Sequence, residues 1–143
     1  MNYKLVIIYS RFNASITNLL LEGALDQCNM LGIEREHISI IDVPGAVEIP
    51  LTAKVVAEKG GIDAIITLGC VIRGETTHYD YVCEQVSQGT QAISLEYTIP
   101  VIFGVLTTET QGQALARVGG AHGHKGRDAV DAAVEMIDKL KAI

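Results

Sequence analysis

A chain of 143 residues fits one domain, read here as spanning 1–143, and at this length folding buries about 70% of the surface the unfolded chain exposes, so no disulfide or metal staple is needed. The formal net charge is −6 and the pI about 5.1, with no run of Lys or Arg, which argues against nucleic-acid binding by phosphate neutralisation. Hydrophobic residues make up 48% and charged residues 20%, yet no apolar run approaches the roughly 18 residues of a membrane span.

The first apolar run, Leu5 to Tyr9, reads as a strand. After Arg11-Phe12-Asn13-Ala14-Ser15, a helical face recurs at Ile16, Leu19, Leu20, Gly23, Ala24, Cys28 and Leu31, and Gly32 stops it. A second strand covers about Ile38 to Val43 and breaks at Pro44-Gly45. Glu48 to Lys59 reads as a helix ended by Gly60-Gly61. The third strand, about Ala64 to Ile72, is nearly all apolar. A polar loop precedes a helix from about Asp80 to Glu96. Pro100 resets the chain into a fourth strand, Val101 to Leu106. Thr108 or Thr110 can cap a short helix to about Val118, which the Gly-rich stretch Gly119 to Gly126 interrupts. A last helix runs to the end, with Val130, Ala133, Val134, Ile137 and Leu140 on one side.

Strands alternating with helices predict βαβ units, and continuous apolar strands predict helices on both faces. The expected fold is a three-layer α/β sandwich around a four-stranded parallel sheet. In such a sheet the loops after the strands gather at the carboxyl edge, where ligands bind. Here those loops bring together Phe12-Asn13, Ala46 to Glu48, Gly74 to His78 and Thr107-Thr108.

Arg73-Gly74-Glu75-Thr76-Thr77-His78-Tyr79-Asp80 joins the most apolar strand to a helix. Free N–H groups at a helix start, with two threonines, suit an anion. The same threonines are equally fit to be caps. The spacing of glycine and lysine excludes a Walker loop. His78 stands in the first turn, and an imidazole titrating near about 6.5 suits proton transfer; a cap or surface histidine fits as well. Arg117 and Lys125 flank the Gly-rich segment as candidate binders of a phosphate or a polar ring edge, and as ordinary surface charge otherwise. Phe12 follows a strand, where an aromatic ring is exposed unless a planar ligand or a subunit covers it. His122 and His124 lack a carboxylate or cysteine at ligand spacing, so no metal site is expected. Cys28, Cys70 and Cys83 form no C-x-x-C pair and sit in apolar stretches, which suits small buried thiols in a reducing, cytoplasmic setting. No signal peptide is visible in Met1 to Lys4.

Five blocks resemble the lumazine synthase family of riboflavin biosynthesis. They are Ser10 to Asn13 (S-R-F-N), Pro44 to Pro50 (P-G-A-V-E-I-P), Gly69 to Asp80 (G-C-V-I-R-G-E-T-T-H-Y-D), Pro100 to Glu109 (P-V-I-F-G-V-L-T-T-E) and Gly123 to Gly126 (G-H-K-G). Their order and spacing extend the resemblance over essentially the whole chain, and together they are highly specific. The resemblance implies a flavodoxin-like fold. It also implies condensation of 5-amino-6-(D-ribitylamino)uracil with 3,4-dihydroxy-2-butanone 4-phosphate to 6,7-dimethyl-8-ribityllumazine, with loss of phosphate and water and no cofactor. It implies that Phe12 stacks on the pyrimidine beside Asn13, that Ala46, Val47 and Glu48 line the ribityl side, and that Val71 and Ile72 wall the ring. Glu75 and Thr76 are implied to meet the phosphate, with Arg117 pairing to it. His78 is implied to shuttle protons, Lys125 to contact the pyrimidine with Asp128 in support, and Phe103 to come from a neighbouring subunit of a homopentamer. A non-catalytic flavin- or lumazine-binding protein on the same scaffold, and a flavodoxin-like electron carrier, are the competing readings.

Two departures bear on assembly. The first motif stands about ten residues nearer the start than in many members, so the strand that shell-forming relatives lend to a neighbour is not expected. A pentamer is expected, with the decamer and the icosahedral shell left open. His122 and His124 replace more typical residues of the Gly-rich pattern.

Overall fold

A computed structural model describes residues 2–143. Four parallel strands form one sheet: β1 (Leu5–Ser10), β2 (Ile38–Val43), β3 (Ala64–Ile72) and β4 (Val101–Thr108), in the order β2-β1-β3-β4. Leu5 of β1 pairs with Ile38 on one side and Ala64 on the other, and Ile65 of β3 pairs with Val101 of β4. This is the predicted three-layer arrangement.

Side-chain alternation divides the core in two. Leu5 and Ile7 of β1, with Ala64, Ile66, Leu68 and Cys70 of β3, face α1 (Ala14–Met30) and α5 (Lys125–Ala142). Val6 and Ile8, with Ile65, face α2 (Ile49–Lys59) and α3 (His78–Tyr97). Every residue of β3 from Ala64 to Cys70 is buried, because both faces are covered. The one hydroxyl in that run, Thr67, donates to the Ile102 carbonyl of β4 at 2.7 Å, so its burial leaves no orphan donor.

Several boundaries move from the sequence expectation for local reasons. α3 starts at His78 rather than Asp80, with Thr77 at the N-cap and its carbonyl accepting the Asp80 N–H at 3.0 Å; the Thr76 hydroxyl accepts the His78 N–H at 3.3 Å just ahead of it. α2 starts at Ile49, since Ala46–Glu48 form a 3-10 turn. Thr110, not Thr108, caps α4 (Gln111–Leu115): its hydroxyl accepts from the Gln113 N–H at 3.1 Å, while the Gln113 amide oxygen accepts from the Thr110 N–H at 3.3 Å. α4 is thus shorter than expected, and the Gly-rich stretch is no plain loop. It forms an antiparallel hairpin of β5 (Val118–Gly120) and β6 (Gly123–His124) leading into α5.

Candidate functional site

The loops after β1, β2 and β3 enclose a cavity of about 380 Å³ at the carboxyl edge of the sheet. Phe12 and Asn13 come from the first loop, Ala46 and Val47 from the second, and Val71 and Ile72 from the end of β3. Thr76, His78, Tyr79 and Val82 close it from the β3–α3 side. A mainly apolar wall with a few protic groups suits a small organic ligand.

Each wall is held from behind. Asn13 takes a left-handed backbone (φ 63°) and its amide donates to the Cys70 carbonyl at 2.8 Å, tying the β1 loop to the end of β3. That tie leaves Phe12 projecting at 72% exposure, an unusual position for a ring without a partner. In the β3–α3 loop, Arg73 pairs with Asp80 at 3.1 Å and Glu109 at 2.7 Å and lies 4.4 Å over the Tyr79 ring. One guanidinium therefore joins the β3–α3 loop to the turn after β4.

Among the described residues the His78 imidazole forms no hydrogen bond or ion pair, and the side chain is exposed at the cavity wall. The other protic groups of the wall stay protonated at neutral pH. Burial pushes the Cys70 thiol up to about 11, and burial also raises the Tyr79 phenol. Histidine is the wall residue whose two ring nitrogens can accept a proton at one atom and donate at the other.

A second cavity, of about 340 Å³, lies beyond β4. Arg117, Lys125 and Asp128 line it with Thr107, Thr108 and His122. The Lys125 N–H donates to the Arg117 carbonyl at 2.8 Å, and the Arg117 guanidinium donates to the Gln113 carbonyl at 2.8 Å. Two cations and one carboxylate here make an anion-accepting face.

The sequence-predicted residues thus fall into two groups. Phe12, Asn13, Ala46, Val47, Val71, Ile72, Thr76 and His78 share the first cavity, and Arg117, Lys125 and Asp128 share the second. Glu48 lines neither: one carboxylate oxygen turns back to accept the Gly45 N–H at 2.9 Å. Glu75 is exposed on the loop outside both. Phe103 is half-buried on β4, packed against the α2–α3 side of the core. Tyr79 and Val82 were not singled out, although Val82 stands four residues after His78 on the same helix face.

A parallel sheet flanked by helices, with a mostly apolar cavity at its carboxyl edge, defines the class of α/β proteins that receive a small molecule where the strands end. The family model for 6,7-dimethyl-8-ribityllumazine synthase matches residues 2–141. The 6,7-dimethyl-8-ribityllumazine synthases of three Coxiella burnetii strains, CbuG_Q212, RSA 493 and Dugway 5J108-111, are each 53% identical over 142 residues, covering 99% of this chain and 94% of the relative. The chain belongs to the 6,7-dimethyl-8-ribityllumazine synthase family, an enzyme family of riboflavin biosynthesis. Among the described residues no helix is long and apolar enough to cross a membrane.

Proposed function

We propose that this chain condenses 5-amino-6-(D-ribitylamino)uracil with 3,4-dihydroxy-2-butanone 4-phosphate to 6,7-dimethyl-8-ribityllumazine, releasing phosphate and water. The observation that carries this reading is the cavity itself: an apolar slot with an exposed aromatic ring at one side and an unpaired histidine at the other. Phe12 stacks on the pyrimidine, with Val71 and Ile72 as the wall and Asn13 holding the loop. Ala46 and Val47 flank the ribityl chain, and the carboxylate oxygen of Glu48 that does not hold Gly45 serves its hydroxyls. Thr76, with Glu75 beside it, receives the phosphate at the start of α3, where helix N–H groups favour an anion.

His78 moves protons as the uracil amine adds to the ketone, water leaves to give the imine, phosphate departs, and the ribitylamino nitrogen closes the ring with loss of a second water. The amine is the nucleophile, so no activated serine or cysteine is required. Orientation, proton transfer and anion binding suffice, and no residue role here calls for a metal or a cofactor.

Arg117, Lys125, Asp128 and Phe103 complete the site from a neighbouring copy of the chain, in a homopentamer. The separation of the two cavities in one chain supports this: each is half a site. Exposed Leu51, Leu95 and Tyr81 also suit burial between copies. Free Cys28, Cys70 and Cys83 agree with a cytoplasmic, single-domain enzyme. Mixing the two substrates tests the reading: a fluorescent lumazine and one inorganic phosphate per turnover are expected. Phosphate release no faster than the spontaneous background would refute it. Tight riboflavin binding without turnover would favour a binding protein instead.

A further inference from the structure

His124 ends β6 and is the residue from which α5 starts. Its Nδ1 accepts the Gly126 N–H at 3.1 Å and the Arg127 N–H at 3.4 Å, two of the donors that a helix start leaves without an intrahelical partner. The fit is tight. A Cβ at Gly23 of α1 would stand 2.0 Å from Cε1 of the ring, and one at Gly126 would stand 3.0 Å from the same atom and 2.2 Å from the Leu20 carbonyl oxygen. Only one tautomer satisfies these neighbours: a proton on Nε2 and a bare Nδ1. A proton on Nδ1 would face two N–H groups and the positive end of α5.

We propose that His124 is a positioning residue for the site: its neutral ring fixes the first turn of α5, and with it Lys125 and Asp128 beside Arg117, so the second cavity keeps its shape only while Nδ1 is unprotonated. The consequence for binding rests on the function proposed above; the cap itself does not.

The surroundings fix the sign. Burial is the largest influence and lowers the ring's pKa from its ordinary value; Arg127 adds to this, while Asp128 opposes it. The charged residues of α1 are Glu22 and Asp26, and Asp26 is engaged by Arg127 at 3.5 Å. The hairpin faces the ring with Val118 and Gly119 and carries His122, and Arg117 reaches the region through the Lys125 N–H. A folded-state pKa below the unfolded one means that the cap is complete above about 6.5 and is lost as pH falls through the lowered value.

Two measurements on the full chain test the proposal. Nitrogen NMR of the imidazole should show the Nε2–H tautomer, with a midpoint below that of an ordinary histidine; a proton on Nδ1 at pH 8 overturns it. Steady-state kinetics and melting from pH 8 to 5.5 then compare the wild type with H124N, whose amide oxygen can cap without titrating. The KM for the uracil substrate should rise about three- to tenfold in the wild type on acidification, a change of the size a lost cap produces, and not in H124N. The kcat profiles of the two should run parallel, and the wild type should lose more melting temperature than H124N. Identical KM profiles and identical melting losses overturn the proposal. Absence of turnover in the wild type would instead defeat the functional reading, while the tautomer and the melting comparison would still decide the cap.

Discussion

Asn13 offers the sharpest stability test, because two separable effects meet in one residue. Its backbone is left-handed at φ 63°, and its amide donates to the Cys70 carbonyl at 2.8 Å. An alanine loses both features. Left-handed backbone costs a side chain without a local hydrogen bond about 1 kcal/mol. The lost hydrogen bond, with the half-buried Cys70 carbonyl left short of a partner, costs about 1–2 kcal/mol. N13A should therefore destabilise by about 2–3 kcal/mol. Glycine accepts the left-handed region freely, so N13G should cost only the hydrogen bond plus some chain entropy, about 1–2 kcal/mol. Urea denaturation at one fixed protein concentration measures both, since association of copies would shift the midpoint. N13G as damaging as N13A would remove the backbone argument. N13A within about 0.5 kcal/mol of wild type would remove the hydrogen bond as well. Turnover read in parallel links this tie to Phe12, the adjacent ring of the cavity.

H78A should lower kcat by about ten- to a thousandfold, and R117A should chiefly raise KM for the phosphorylated substrate; unchanged kcat in the first, or an effect confined to the uracil in the second, would reject those roles. Thr17 is fully buried in α1 and its hydroxyl finds no partner among the described residues, so T17V should stabilise by about 1 kcal/mol, and a loss of that size in a denaturation curve would contradict the reading. Burial pushes the Cys28 and Cys70 thiols up to about 11, so iodoacetamide at pH 8 should alkylate them only after unfolding. Their raised values also mean a stabilising contribution that is complete below the ordinary thiol range and lost as pH climbs towards 11; a melting temperature unchanged between pH 8 and 11 would argue against it.

Much of the fold was readable in the residues because hydrophobic pattern decides it. β3 has no polar face, which marks a strand covered on both sides, and its position next to β1 and β4 follows. The stripe Val130, Ala133 and Ile137 likewise buries the inner face of α5. The β5–β6 hairpin was not readable. Its strands are three and two residues long, and three of those five positions are Gly119, Gly120 and Gly123, which leaves too few side chains to alternate. The early start of α3 turns on the Thr77 carbonyl accepting the Asp80 N–H, a backbone bond that residue spacing does not record. For the site, strand-end position identified the first cavity, since every parallel strand delivers its loop to the same edge. Spacing did not reveal that Arg117 and Lys125 lie around a separate cavity, nor that one oxygen of Glu48 is already engaged by Gly45.

The separation of those two cavities has a kinetic meaning under the proposed assembly. A protein whose reaction centre is shared between copies has no active monomer, so its specific activity reports association. Dilution should lower activity more steeply than in proportion to protein. Two impaired variants damaged in opposite halves, H78A and R117A, should recover turnover at low phosphorylated-substrate concentration when co-assembled, because some junctions then bring an intact His78 half against an intact Arg117 half. In a five-membered ring each chain serves two neighbours in two different capacities, and one damaged copy impairs a place it does not itself own.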